Sequence, residues 1–123
     1  MSPAEIFQHA RDVFAIGAMA VGLVFVIAGA TGVMRLPDFY TRMHAAGVTD
    51  TLGAELIIVG LIAQAGDWQT AAKLALVGLL LFLTSPTATH AIANAAHRAG
   101  QKPDLAHFKP KHPADAASSE ASK

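Results

Sequence analysis

Cysteine is absent from this sequence, which excludes disulfides, thiolate metal sites and cysteine nucleophiles. Charge is scarce too: Asp, Glu, Lys and Arg make up 15% of 123 residues, and the formal charge is zero. The basic residues stay dispersed until the C-terminal tail, so there is no clustered basic face for a nucleic acid, and no nucleic-acid partner is expected. A phosphate-cradling glycine loop, a serine or cysteine triad, a zinc motif and a paired-carboxylate site are all missing. The residues therefore call for no enzyme, no metal and no cofactor.

What is present is apolar and gathered into runs. Hydrophobic residues make up 53% of the chain, and from Val13 to Met34 there is no Asp, Glu, Lys or Arg. That run exceeds the roughly 20 residues a spanning helix needs. A signal-peptide core is only about 7–15 residues long, so the first run reads as a retained helix. Two further apolar runs give an all-α integral membrane protein with three transmembrane helices, at about 13–33, 51–65 and 70–98, in one membrane domain over 1–100. Residues 1–12 read as a polar lead-in, helical from Pro3. Asp50 suits the N-cap of the second helix. Gly100 and Pro103 stop the third, and 101–123, rich in Lys, Pro, Ala and Ser, reads as a disordered cytoplasmic tail.

Lys and Arg set the orientation. With three spans, the loop after the first helix and the tail share a side that holds Arg35, Arg42, Arg98, Lys102, Lys109, Lys111 and Lys123, against Arg11 and Lys73 opposite. The positive-inside rule puts the N-terminus outside and the C-terminus in the cytoplasm. Trp68, beside Asp67, fits an outer interfacial anchor.

Between the first two spans, charge and aromatics are concentrated. Pro37 suits a first helical position, Asp38 the positive end of a helix dipole, and Asp38 and Arg42 stand four apart with the acid first. Leu36, Phe39 and Met43 then share a face, which predicts a short interfacial helix stopped by Gly47. It serves either as a docking surface toward another subunit or only as an anchored connection.

Glu55 falls in the second span, where a carboxylate is a functional candidate by default. Counted from Asp50 it lies only about 7–8 Å along its helix. It can therefore pair with Arg35 or Arg42 at the interface, or act as a proton or cation relay. Pro86 interrupts the third helix, freeing the Phe82 carbonyl, and Pro86, His90, Asn94 and His97 follow on one polar face. His90 and His97, roughly 10 Å apart in rise, cannot share an ion. On the first helix Ala18, Gly22, Phe25, Gly29 and Gly32 form a stripe of mostly small residues that admits another helix closely, here expected to belong to a neighbouring subunit. Gly53 and Gly60 add a second narrow face.

The run Gly-Val-Met-Arg-Leu-Pro-Asp-Phe-Tyr-Thr-Arg-Met-His-Ala from Gly32 to Ala45, Asp-Thr-Leu-Gly from Asp50 to Gly53, then Ser85-Pro86, His90 and Ala95-Ala96 together resemble the G-type component of the multisubunit Mrp/Mnh/Pha family of monovalent cation/proton antiporters. The resemblance covers about 14–100. It implies a three-helix accessory subunit of a hetero-oligomeric complex in the bacterial inner membrane, exchanging Na⁺, or in some members K⁺, for H⁺. The other subunits and the lipid bilayer are its implied partners. Such a subunit serves assembly or gating, the ion path lying mainly in the large subunits. The subunit-contact or structural candidates are Arg35, Pro37, Asp38, Tyr40, Arg42, His44, Thr51, Gly53, Pro86 and His90, with Glu55 as the relay candidate. Asn94 and Glu55 depart from the family pattern, which favours a basic and an aliphatic residue there. Two alternatives from other classes remain: a membrane anchor of a redox complex using His44 and His90, and a homo-oligomeric cation channel with Glu55 in its pore.

Overall fold

The structure of the protein, a computed structural model, describes residues 1–101 and 121–122. The tail expected over 101–123 lies, save for Gln101, Ala121 and Ser122, outside the described residues. The chain forms helices α1 (Pro3–Arg35), α2 (Phe39–Val48), α3 (Ala54–Gln64) and α4 (Trp68–Arg98), with a π-helical turn over Thr49–Gly53 joining α2 to α3. Pro3–Arg35, Phe39–Gln64 and Trp68–Arg98 are each long and apolar enough to cross a bilayer. The protein is an all-α membrane protein of three spans.

Local chemistry sets each helix end. Ser2 opens α1 with a capping box: its hydroxyl accepts from the Glu5 N–H at 3.3 Å, and the Glu5 carboxylate accepts from the Ser2 N–H at 2.7 Å. At the other end, Leu36 is extended (φ −72°, ψ 133°), and its N–H still reaches the Gly32 carbonyl at 2.9 Å. A residue before proline is driven out of the helical region, so Pro37 ends α1. This corrects the expectation that Pro37 starts the next helix. Asp38 is the N-cap there, its Oδ2 accepting from the Thr41 N–H at 3.3 Å, and Phe39 is the first helical residue.

The middle span also departs from expectation. Gly47 does not stop α2 and Asp50 is not an N-cap, because helical hydrogen bonding continues through both positions into α3. A separate helix over 51–65 would rise only about 22 Å, short of a hydrocarbon layer about 30 Å thick, whereas Phe39–Gln64 rises about 39 Å. The π turn absorbs the extra residue, and two threonines brace it. Thr49 Oγ1 donates to the Ala45 carbonyl at 3.3 Å and Thr51 Oγ1 to the Gly47 carbonyl at 2.6 Å. Asp67 then caps α4, accepting from the Thr70 N–H at 2.8 Å.

The small residues explain how the spans meet. On α1, a Cβ at Gly22 would stand 2.8 Å from the Gly53 carbonyl oxygen, and a Cβ at Gly29 would run into the Thr49 hydroxyl. From the middle span, a Cβ at Gly60 would stand 2.8 Å from the Ala15 carbonyl oxygen. The two narrow faces thus fit each other within one chain, backbone against backbone, which overturns the expectation that the α1 stripe packs on a neighbouring subunit. Glycine at these positions lets the helices approach, and in lipid this close packing replaces a hydrophobic core.

The resulting architecture is a row. The middle span packs against both α1 and α4, while no Cα atoms of α1 and α4 come within 8 Å of each other among the described residues. Buried apolar residues are few, Ala15, Ala45 and Ile58, and the large side chains from Val13 to Ile27 on α1 and from Leu76 to Leu83 on α4 are mostly exposed. With so few residues buried, the apolar surface lies on the outside, as a lipid or a partner helix requires.

Candidate functional site

Three features are built on this frame. The first is the corner between α1 and α2. Arg35 lies in the last turn of α1, where a cation complements the helix dipole. Asp38 caps α2 and its carbonyl accepts from the Thr41 hydroxyl at 2.8 Å. Arg42 turns back, its Nε donating to the Leu36 carbonyl just beyond the end of α1. Tyr40 reaches the residues just past α4, donating its hydroxyl to the Gln101 carbonyl at 2.9 Å while its ring meets Phe39 edge-on, centroids 5.8 Å apart. The corner residues hold the fold of the corner itself and tie it to the end of α4.

Beside the corner lies a groove of about 450 Å³ between α2, the π turn and α4. His44 and Thr51 line it from one side; Ser85, Pro86, Thr89 and His90 line it from the other. Four sequence-predicted residues that are distant in the chain, His44, Thr51, Pro86 and His90, therefore share one surface. Pro86 leaves the Phe82 carbonyl without its helical donor, and Thr87 Oγ1 donates to the adjacent Leu83 carbonyl at 3.1 Å. Met43 and Ser85, which stand in the quoted motifs, join this surface, as does Thr89, which no motif singled out; its spacing of four from Ser85 and three from Pro86 is the signal that marks it. No group of three His, Cys, Asp or Glu side chains arranged to hold a metal occurs among the described residues.

Gly53 lies at the end of the π turn, where a Cβ would meet Val26 Cγ2 at 2.6 Å. Its role is contact with α1.

Glu55 stands apart from the corner. Its Oε2 lies 3.0 Å from the point where a Cβ on Gly78 of α4 would be, and its Oε1 is buried with no hydrogen-bond partner among the described residues. Neither Arg35 nor Arg42 reaches it: the ion pair among the described residues joins Arg11 to Asp12, at 3.6 Å. The count from Asp50 therefore misplaced this residue. With the helix starting at Phe39, Glu55 lies about 24 Å from that end and about 14 Å from Gln64. Gly78 lies about 15 Å along α4 from Trp68, so both helices put the carboxyl at the same distance from the turn between them, about half the thickness of a hydrocarbon layer of about 30 Å. At the Gln64 end of the span, Gln64 Nε2 donates to Asp12 Oδ1 at 3.1 Å, tying α1 to α3.

Residues 18–97 match the family model of the PhaG/MnhG/YufB Na⁺/H⁺ antiporter subunits. The chain belongs to this family. It is a subunit of a multisubunit antiporter, a transporter and not an enzyme. A UPF0091 protein of Pyrococcus horikoshii is 40% identical over 84 residues, 68% of this chain and 82% of that protein. A UPF0091 protein of Rickettsia conorii is 40% identical over 76 residues, 62% and 72% of the two chains. A Na⁺/H⁺ antiporter subunit of Staphylococcus epidermidis is 34% identical over 87 residues, 63% of this chain and 74% of that protein. Among solved structures, a chain of the Mrp complex from a Dietzia species superposes with a TM-score of 0.75 at 29% identity, covering 91% of this chain and 97% of that one. For this antiporter subunit the matched region begins within α1 and takes in the corner, the π turn, the groove and Glu55.

Proposed function

We propose that this chain is an accessory subunit of a multisubunit Na⁺/H⁺ antiporter, assembled with larger membrane subunits that carry the ion path. The observation that carries the reading is the single row of helices. With α1 and α4 apart, no ring of helices encloses a route across the layer, and a pathway needs walls on every side. The exposed apolar faces of α1 and α4 and the groove beside the corner are surfaces for lipid and for neighbouring subunits.

In this reading the corner lies at the cytoplasmic side of a bacterial inner membrane, with the N-terminus outside and the C-terminus inside, following the distribution of Arg and Lys. Arg35, Pro37, Asp38 and Arg42 shape the corner, while His44, Thr51, Pro86 and His90 present the groove to a partner helix. The transported cation is Na⁺, as for the family, and K⁺ is the variant to test beside it. Membrane extracts containing a tagged copy of the chain should yield the large antiporter subunits on purification, and alanine at both His44 and His90 should reduce that yield. Recovery of the tagged chain free of other subunits, from cells that make the whole complex, would refute the proposal.

A further inference from the structure

We infer that Glu55 is a proton-binding site within the membrane layer, housed in the seam between α3 and α4 and shaped by Gly78. Its carboxyl sits about 14 Å from the Gln64 end of its span, and Oε1 has neither a donor nor an open surface. Ionisable side chains at such depth are costly and mark proton or ion pathways.

The surroundings select the ligand. Against Gly78 of α4 stand Glu55 Oε2 and the Ile58 side chain, and neither Gly78 nor Ile58 carries a side-chain oxygen. A Na⁺ or K⁺ ion needs several oxygen ligands, and Oε1 is closed off from the surface with no polar partner at hydrogen-bond distance. A proton needs no such ligands. No fixed cation takes its place: α1 has no charged side chain from Val13 to Met34, and after Lys73, five residues before Gly78, α4 has none until Arg98. The other titratable groups on these elements lie toward their ends, Glu5, His9, Arg11, Asp12 and Arg35 on α1, Tyr40, Arg42 and His44 on α2, Asp50 in the π turn, and Lys73, His90, His97 and Arg98 on α4, and none forms an ion pair with Glu55. The step is reversible and balanced: a carboxylate oxygen takes H⁺ from hydronium to form an O–H bond and leaves water, and gives it back to water on release.

Gly78 is the second element of the site. It is buried, and its missing side chain makes the room that Oε2 occupies. Glycine here has a packing purpose tied to the carboxyl, since any Cβ would press on it.

The test is infrared difference spectroscopy of the full chain in lipid vesicles under stepped pH. The wild-type chain should show a protonated-carboxyl C=O stretch that appears and disappears reversibly with pH and shifts in D₂O. Glu55→Gln, close in shape, should lose that band. Glu55→Asp should keep a band at a shifted position, and Gly78→Ala should move it by displacing Oε2. A band unchanged in Glu55→Gln, or no such band at any pH at which the chain keeps its helical circular dichroism, would overturn the inference. So would proton release driven by adding Na⁺ at constant pH, which would identify a cation site. The spectrum is read on the chain alone, so its result is independent of whether the chain assembles with other subunits.

Discussion

Gly22→Ala should weaken the contact between α1 and the middle span, and the structure supplies the scale. The new methyl carbon would lie 2.8 Å from the Gly53 carbonyl oxygen, 2.8 Å from Ile57 Cγ1 and 3.0 Å from the Ile57 backbone nitrogen. Ordinary carbon to oxygen contacts in packed proteins are about 3.3–3.6 Å, so the methyl is about half an ångström too close. The Ile57 side chain can turn away, but the two backbone atoms move only if the helices part. Overpacking of this kind costs about 1–3 kcal/mol, against a gain of up to about 1 kcal/mol from alanine's better helix propensity. Gly17, on the same helix with nothing near its Cβ position, is the control: Gly17→Ala should be neutral or stabilising by up to about 1 kcal/mol. Reversible unfolding of the chain in mixed detergent, followed by circular dichroism, ranks the two. If Gly22→Ala proved as stable as Gly17→Ala, the intramolecular glycine seam would be wrong, and the stripe would be free for another subunit.

Other outcomes follow from the caps and the corner. Asp38→Ala removes the acceptor of the Thr41 N–H and should cost about 1 kcal/mol, read as faster hydrogen exchange in the first turn of α2; unchanged exchange would contradict the capping role. Tyr40→Phe removes the hydroxyl bond to Gln101 and should speed exchange at the end of α4 while leaving α1 unaffected. At Asp67, hydrogen bonds from the Thr70 backbone N–H and then its hydroxyl hold the carboxyl below the ordinary aspartate value. A depressed folded value means that the cap's contribution is present above the unfolded aspartate pKa and is lost as pH falls through the lower folded one. Exchange of the Thr70 amide should therefore accelerate over that acidic window in the wild type, and Asp67→Asn should remove this dependence; the same acceleration in both would refute it.

Much of this architecture was legible in the residues. The uncharged run from Val13 to Met34 lies within α1, and three spans form where three apolar runs stand in the sequence. Pro37 was harder, because proline both opens and closes helices, and only the extended conformation of Leu36 shows that it closes α1. Asp50 looked like a cap because its side chain suits one, yet a cap needs unpaired N–H groups, and the helix entering from Phe39 leaves none there. That single misplacement carried over to Glu55, which was counted from a helix start that does not exist. Both glycine faces were visible, but a periodic stripe carries no information about which helix it meets. The groove that joins His44 to His90 depends on α2 and α4 lying side by side, which no local spacing encodes.

The accessory role is tested most directly by reconstitution into vesicles holding an imposed pH gradient, with proton movement followed on addition of Na⁺ or K⁺. The purified chain alone should give no cation-dependent proton flux. The complex assembled without this chain should be inactive or impaired, and should recover when the chain is supplied. Cation-dependent proton flux from the chain alone, at a rate comparable to that of the whole complex, would contradict the account.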